Sequence, residues 1–285
     1  MDLGGTRRHY LLAVAMVIVL VTVIVYLLQP MPPEEAPPPL SQPEPLTGEF
    51  LTWQEVDQLF PRNAYADVVD YETGLTFRVQ RRAGSYHADV QPLTAEDTAV
   101  MKKIYSGKWA WTRRSVLVVL DSGRVVAASM NGMPHGSGAI KDNKFNGHFC
   151  IHFRDSITHG SRSRDTAHQV MIWKAAGVLK EQLGLLKPEE VFDVAMAALA
   201  QRDYRILREV TCGGQQEQLL QGMADITWVK PQSLQKLDEQ HFSAQVQLLR
   251  RGSTRTQAHT LRIEIVASPE HWCVSAASLL PLIEP

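Results

Sequence analysis

The first feature of the hydrophobic pattern is an uninterrupted apolar run over residues 10–28, which contains no charged residue. At a rise of about 1.5 Å per residue, a helix of this length crosses a bilayer core of about 30 Å. Arg7 and Arg8 precede the run, so we expect the amino end to be cytoplasmic and the bulk of the chain to be extracytoplasmic. No small-x-small cleavage site follows the run, which favours an uncleaved single-pass anchor at residues 1–29 over a cleaved signal peptide.

A segment rich in proline and glutamate follows, at residues 30–49. Proline fixes φ and stiffens the chain into an extended spacer. We therefore expect a linker that separates the anchor from the folded part of the chain.

Residues 50–184 combine the apolar spacing of helices with that of strands, which predicts a first domain made of strands and helices. Thr52 and Glu55 are spaced as a capping box, and Thr94 begins a similar helix. Asp121, Ser122 and Gly123 separate two apolar runs, which is typical of a β-hairpin. The predicted helices are 53–59, 94–105 and 167–183, and the predicted strands are 75–79, 115–120 and 124–130.

Residues 185–285 predict a second domain of helices followed by strands. Pro188 stands at the start of a helix whose apolar side includes Val191, Ala195, Leu199 and Tyr204. Strand-like runs follow at 226–229, 242–249, 260–266 and 272–276. One long helix before an antiparallel sheet resembles the nuclear transport factor 2-like fold, a cone that implies an accessory binding module. The predicted fold class of the whole chain is α+β.

Composition adds little to this organisation. The 45% of apolar and 21% of charged residues are ordinary for a globular protein, and the net charge of -1 makes a nucleic-acid partner unexpected. There are three cysteines. Cys212 and Cys273 either pair and leave Cys150 free, or are small buried apolar residues, which is a common state of cysteine.

The candidate chemistry is concentrated between Asn146 and Phe153. In a strand, successive side chains alternate faces, so His148, Cys150 and His152 share one face and apolar residues the other. A thiol beside imidazoles is a candidate nucleophile, because an imidazole can accept its proton and an imidazolium favours the thiolate.

This pattern resembles the catalytic motif of the L,D-transpeptidases, thiol enzymes that cross-link bacterial peptidoglycan. His135 and Gly136 are similar to the upstream His-Gly element, and residues 147–152 to the cysteine element. Gly147, Phe149 and His152 stand where the family has a hydroxyl residue, a glycine and an arginine. The resemblance implies a mostly-β catalytic domain in a bacterial cell-membrane protein that needs no cofactor and binds peptidoglycan or another cell-envelope peptide.

In this hypothesis Cys150 attacks a peptide carbonyl and His148 or His135 moves the proton. Backbone N–H groups near Gly147 would hold the oxyanion. We count His152 with the catalytic set, and Asp89 either orients an imidazole or lies exposed at a strand edge. The residues expected to bind substrate are Arg154, Gly136 and His159.

Two alternatives stay open. Imidazoles and a thiolate suit zinc, so the cluster of His148, Cys150 and His152, with His135 or His159, could instead belong to a zinc-dependent hydrolase. Alternatively, Phe149 obstructs the nucleophile and the chain is an inert binding protein of the cell envelope.

Overall fold

The computed structural model of the chain describes residues 46–284, so the predicted anchor and the predicted linker as far as residue 45 lie outside the described residues. Within residues 46–284, no helix is both long and apolar enough to cross a membrane. The described fold is α+β and contains a six-stranded closed barrel and a second, five-stranded sheet.

The barrel forms from strands whose buried positions alternate with more exposed ones, as in Val68 and Val79. The strands are β1 (Tyr65–Asp70), β2 (Thr76–Ala83), β3 (Ala88–Pro92), β4 (Arg113–Leu120), β5 (Val125–Asn131) and β6 (Phe149–His152). They follow the order β1-β2-β3-β6-β5-β4, and every neighbouring pair is antiparallel. The sequence pattern predicted β2, β4, β5 and β6 but missed β1.

Two helices of the first lobe begin where the sequence predicts. Helix α1 (Trp53–Leu59) starts after Thr52, and α2 (Ala95–Ile104) starts after Thr94. Each threonine side chain accepts a hydrogen bond from a backbone N–H three residues on, and both capping boxes are complete.

The single helix predicted over residues 167–183 is wrong. The structure has two helices, α3 (Thr166–Ala176) and α4 (Leu179–Gly184). Gly177 ends α3 in the left-handed conformation with φ of 74°, which glycine adopts without the strain that a Cβ would cause. The chain therefore turns where the apolar periodicity alone suggests continuity.

The second lobe packs helices on one sheet. The elements are α5 (Pro188–Gln201), α6 (Tyr204–Val210), α7 (Gln216–Gly222), β7 (Thr211–Cys212), β8 (Ile226–Lys236), β9 (His241–Arg250), β10 (Gln257–Ala267) and β11 (Trp272–Ser275). The sheet order is β7-β11-β10-β9-β8.

Tyr204 does not extend the apolar side of α5 as predicted. Arg202 ends α5 in a left-handed conformation, and Tyr204 begins α6 with 50% of its surface exposed.

A disulfide joins Cys212 of β7 to Cys273 of β11. The interpretation of these residues as two separate buried thiols is therefore wrong, and Cys150 is the remaining, buried free thiol.

Helix α3 belongs to both lobes. Its Ile172 and Ala175 pack on Leu117 and Ala127 of the barrel wall, whereas Met171 is part of the core of the second lobe. Residues from Leu46 onward form one compact unit. The predicted boundary after residue 184 therefore assigns α3, which contacts both lobes, to the first domain alone.

The end of the predicted linker is also part of the fold. The Gly48 N–H donates to the Ala175 carbonyl at 3.0 Å, and the Glu49 N–H donates to the Val125 carbonyl at 2.8 Å. A Cβ on Gly48 would lie 2.4 Å from the backbone nitrogen of Ala127. This close approach explains why residues 46–49 lie against the barrel instead of extending as a spacer.

Candidate active site

Strand β6 places the cysteine on the outer side of the barrel wall. Phe149 and Ile151 are fully buried in the barrel core, so the intervening Cys150 faces outward. Register pairs Cys150 with Asp89 on one neighbouring strand, and pairs His152 with Ser129 on the other. The alternation predicted from sequence is thus the local reason that polar side chains meet here.

Cys150 and His135 form a directed pair. Nε2 of His135 lies 3.2 Å from Sγ of Cys150, and Nδ1 lies 2.8 Å from the Met133 carbonyl oxygen. A carbonyl only accepts hydrogen bonds, so the neutral ring carries its proton on Nδ1 and presents the Nε2 lone pair to the thiol. This is the geometry of a general base, with a backbone carbonyl as the group that orients it.

Asn131, at the end of β5, contributes a donor that the sequence did not single out. Its Oδ1 accepts a hydrogen bond from the Met133 N–H at 3.3 Å, which leaves the amide N–H₂ for the thiol. A hydrogen bond from Asn131 lowers the pKa of Cys150, against the larger effects that raise it. The sequence signal that could have identified Asn131 is its position at the end of a predicted strand, just before the His-Gly loop.

Asp89 is the only carboxylate that the described residues bring against the thiol, 3.8 Å from Sγ. Its Oδ1 also lies 3.2 Å from Nε2 of His87 and of His159, and 3.8 Å from Nε2 of His148. Burial alone would raise the pKa of Asp89, but the contact with His87 and the nearby rings of His148 and His159 lower it to about 2. The carboxylate is therefore ionised at neutral pH and buried, not exposed at a strand edge.

The resting thiol is neutral. Burial raises the pKa of Cys150, and the nearby Asp89 charge raises it further. Burial also lowers the pKa of His135, more than its bond to Met133 raises it. Without substrate, Cys150 and His135 are therefore a thiol and a neutral imidazole instead of a thiolate and an imidazolium. Proton transfer must then accompany attack on a substrate.

His152 lies in a column of stacked imidazoles and does not contact the thiol pair as a base. Its ring stacks on His168 at a centroid distance of 3.8 Å and on His87 at 4.4 Å. Burial lowers the pKa of His152 and of His168 well below the ordinary value. Among the described residues, Nδ1 of His152 has no hydrogen-bond partner, whereas Nδ1 of His168 lies 2.9 Å from Oγ of Ser129. The rings of His152 and His168 are therefore neutral packing partners at physiological pH.

Two glycines hold the His-Gly loop against the cysteine strand. His135 and His148 exchange backbone hydrogen bonds of 2.8 and 2.9 Å. Gly147 has φ of 111°, and a Cβ there would lie 2.4 Å from the His135 carbonyl oxygen. A Cβ on Gly136 would lie 2.4 Å from the His148 ring. Side chains at either position would separate the loop from the strand.

The same backbone bonds change one predicted role. The His148 N–H donates to the His135 carbonyl, so this N–H is not free to hold an oxyanion as predicted. The Asn131 amide N–H₂, which Met133 leaves free, is another candidate donor. The His148 ring is fixed by a contact of 2.9 Å between its Nδ1 and the Ser137 carbonyl, with Nε2 turned toward Asp89.

The residues predicted to bind substrate do not all lie at the site. His159 joins the site through Asp89, whereas Arg154 lies over the Phe50 ring at 4.8 Å and lines another cavity with Trp173. A cleft of about 560 Å³ is lined by Trp111, Arg113, Trp228 and Lys230 among others, but by neither Cys150 nor His135. The Trp111 ring packs on the His135 ring at 5.1 Å between centroids.

Two overlapping groups of side chains could hold a metal ion. In the first, ligand atoms of His87, Asp89, Cys150 and His159 all lie within 4.8 Å of one another. The second comprises His135, His148 and Cys150. His152, which the sequence placed in the zinc alternative, is in neither group.

Comparison with known proteins adds no family. No protein-family model matches the chain, and no curated protein matches its sequence. The chemistry that this chain can perform is therefore inferred from the geometry around Cys150.

Proposed function

We propose that the chain is a membrane-anchored, extracytoplasmic cysteine enzyme, similar to the L,D-transpeptidases, that transfers the acyl group of a cell-wall peptide. The observation that carries this proposal is the distance of 3.2 Å between Nε2 of His135 and Sγ of Cys150, with Nδ1 of His135 bonded to the Met133 carbonyl. Spacing in sequence left His148 and His135 as rival bases. The hydrogen-bond contact with sulfur favours His135, whereas Nε2 of His148 is turned toward Asp89.

The first half of the reaction forms a thioester. Sγ of Cys150 attacks the peptide carbonyl carbon as its proton passes to Nε2 of His135. The Asn131 amide donates to the oxyanion that develops. Collapse of the tetrahedral intermediate breaks the C–N bond, and His135 returns the proton to the leaving amine.

The second half regenerates the thiol. An acceptor amine or water loses a proton to His135 and attacks the thioester carbonyl. The C–S bond breaks, and Cys150 recovers the proton. An amine acceptor makes the reaction a transpeptidation and water makes it a hydrolysis, with the same two residues in both.

Two further observations support a wall peptide as substrate. The cleft beside His135 combines the exposed rings of Trp111 and Trp228 with the cations Arg113 and Lys230. Aromatic surfaces suit the apolar faces of a peptide or sugar, and cations suit its carboxylates. The second lobe, whose helices and mostly antiparallel sheet are in keeping with a nuclear transport factor 2-like fold, supplies one wall of this cleft.

The disulfide supports the proposed location. Disulfides persist in oxidising compartments and are rare in the cytosol. The Cys212–Cys273 bond is thus in keeping with a folded part that lies outside the membrane.

The test is to trap the thioester. The purified full chain in detergent is incubated with peptide fragments released from bacterial cell walls, and the mass of the intact protein is measured. We expect a peptide adduct that Cys150→Ala abolishes and that forms about 10²–10⁴-fold more slowly in His135→Ala. His241→Ala, in the second lobe, is the matched control and should behave as wild type. An adduct rate that His135→Ala leaves unchanged would refute the assignment of the base.

A further inference from the structure

The quartet of His87, Asp89, Cys150 and His159 has the dimensions of a four-coordinate metal site. Oδ1 of Asp89 lies 3.2 Å from Nε2 of each histidine and 3.8 Å from Sγ of Cys150, and the two Nε2 atoms are 2.9 Å apart. In a tetrahedral zinc site with bonds of about 2.0–2.3 Å, ligand atoms lie about 3.3–3.8 Å apart. These four separations differ from the tetrahedral values by a few tenths of an ångström, and Sγ of Cys150 lies within 4.8 Å of both Nε2 atoms.

Hydrogen-bond accounting also favours a cation at this point. Nδ1 of His87 lies 2.8 Å from the Ile157 carbonyl oxygen, so a neutral ring carries its proton on Nδ1. Its Nε2 lone pair then faces the Asp89 carboxylate and Nε2 of His159. When both rings are neutral, one proton on Nε2 of His159 is all that the three atoms share, whereas one metal ion would satisfy every lone pair.

The bond between His87 and Ile157 is typical of a metal ligand. A histidine that binds metal almost always donates its other N–H to a carbonyl or carboxylate, which fixes the ring and its tautomer. The set of two imidazoles, one thiolate and one carboxylate is borderline-soft and suits zinc better than magnesium or calcium, which prefer oxygen ligands.

We propose that the chain binds one Zn²⁺ ion through Nε2 of His87, Oδ1 of Asp89, Sγ of Cys150 and Nε2 of His159. The Cys150 thiol loses its proton to solvent as the Zn–S bond forms. His159 lies on the loop between β6 and α3 with its side chain 52% exposed, so the ion reaches the site from this side.

Zinc at this position would regulate the thiol. Four protein ligands close the coordination shell, and closed shells are typical of zinc that holds structure and does not activate water. The metal-bound sulfur is no longer available to attack a carbonyl, so the zinc form is a resting form. Metal binding stands independently of the proposed acyl transfer, but this regulatory consequence rests on it.

The experiment begins with the full chain in detergent, stripped of metal by a chelator that is then removed. Zn²⁺ is titrated in competition with a chromophoric chelator, and Co²⁺ serves as the spectroscopic probe. We expect one equivalent to bind, with the ligand-field bands of tetrahedral cobalt and a sulfur-to-cobalt charge-transfer band. Cys150→Ser should abolish the charge-transfer band. His159→Gln, an exposed position where misfolding is least expected, should weaken zinc binding at least tenfold.

The matched control is His135→Gln. His135 lies beside Cys150 but outside the quartet, so this variant should bind zinc as tightly as wild type while failing to form the thioester. Lack of stoichiometric binding in a folded protein, shown by an unchanged circular dichroism spectrum, would overturn the proposal. Affinity that falls in His135→Gln and His148→Gln but not in His159→Gln would also overturn it, because the ion would then lie in the other group.

The regulatory consequence has its own measurement. Stoichiometric zinc should suppress the peptide adduct of the wild-type chain, and a chelator should restore it. An adduct that forms equally fast on the zinc-loaded protein would refute the claim that zinc-bound Cys150 is unreactive. Zinc bound by the quartet in a protein that forms no adduct with or without zinc would support the metal site and refute the acyl transfer.

Discussion

Replacing Asp89 with asparagine should make the Cys150 thiol more acidic. The substitution keeps the shape of the side chain and removes one buried negative charge, 3.8 Å from the sulfur. That charge opposes formation of the thiolate, and burial of Cys150 opposes it more strongly. Removing the smaller effect should therefore lower the thiol pKa without restoring it to its ordinary value.

The structure sets the size of this shift. At an effective dielectric constant of about 20, two unit charges 3.8 Å apart interact by about 4 kcal/mol, which corresponds to about three pKa units. The contact between Asp89 and the half-exposed His159 brings solvent near the carboxylate and weakens the interaction. We therefore expect a decrease of about one to three units.

The measurement is the rate of alkylation of Cys150 against pH, in the full chain with chelator present and with Cys150→Ala as the blank. Alkylation follows the thiolate, so a lower pKa moves the midpoint to lower pH. Asp238→Asn is the matched control, because Asp238 is also paired with a histidine, His241, but lies in the second lobe. A midpoint in Asp89→Asn that stays in place or moves to higher pH would refute this electrostatic reasoning.

Three further predictions concern stability and loop geometry. Burial lowers the folded-state pKa of His168, so the unfolded chain takes up this proton first and stability falls as pH drops below about 6.5, by about 1.4 kcal/mol per unit. His168→Asn should flatten that slope in denaturant titrations; an unchanged slope would contradict it. Replacing both Cys212 and Cys273 with serine opens a cross-link between positions 61 residues apart and should lower the free energy of unfolding by about 4 kcal/mol. Alkylation of Cys150 at neutral pH is the internal check and should not change. Gly147→Ala should slow thioester formation on the order of 10²-fold by displacing His135, whereas Gly214→Ala, where an added methyl group meets nothing within 4 Å, should not.

The sequence predicted the local part of the site well. Strand alternation depends only on adjacent residues, so it placed His148 and Cys150 on one face and Phe149 on the other. The resemblance of His135 and Gly136 to the upstream His-Gly element indicated His135 as a partner. These predictions needed no knowledge of which strands pair.

The rest of the site depends on long-range pairing. Asp89 reaches Cys150 because β3 pairs with β6 across 61 residues of chain, and Asn131 arrives from β5 on the other side. Apolar periodicity does not specify the order of strands in a barrel. For the same reason, the stacking of His152 on His168, a residue of α3, could not be read from spacing.

Errors in the predicted elements arise where apolar periodicity carries no information. Periodicity describes a face but not where a helix stops, so the breaks at Gly177 and Arg202 were missed. Pairing of Cys212 with Cys273 was left open because composition does not separate a disulfide from two buried thiols. The end of the linker was misplaced because Gly48 carries no apolar signal.

The antiparallel register around β6 has a consequence for how such a protein can change over evolutionary time. A shift of one residue within β6 would turn Cys150 into the barrel core and bring Ile151 to the outer wall. Insertions within the strands are therefore forbidden. The connecting segments 132–147 and 153–165 are restricted only at particular contacts, where the His-Gly loop bonds to His148 and where Ile157 and His159 meet His87 and Asp89. Lineages can thus vary what the site recognises through these loops while the reacting atoms keep their places.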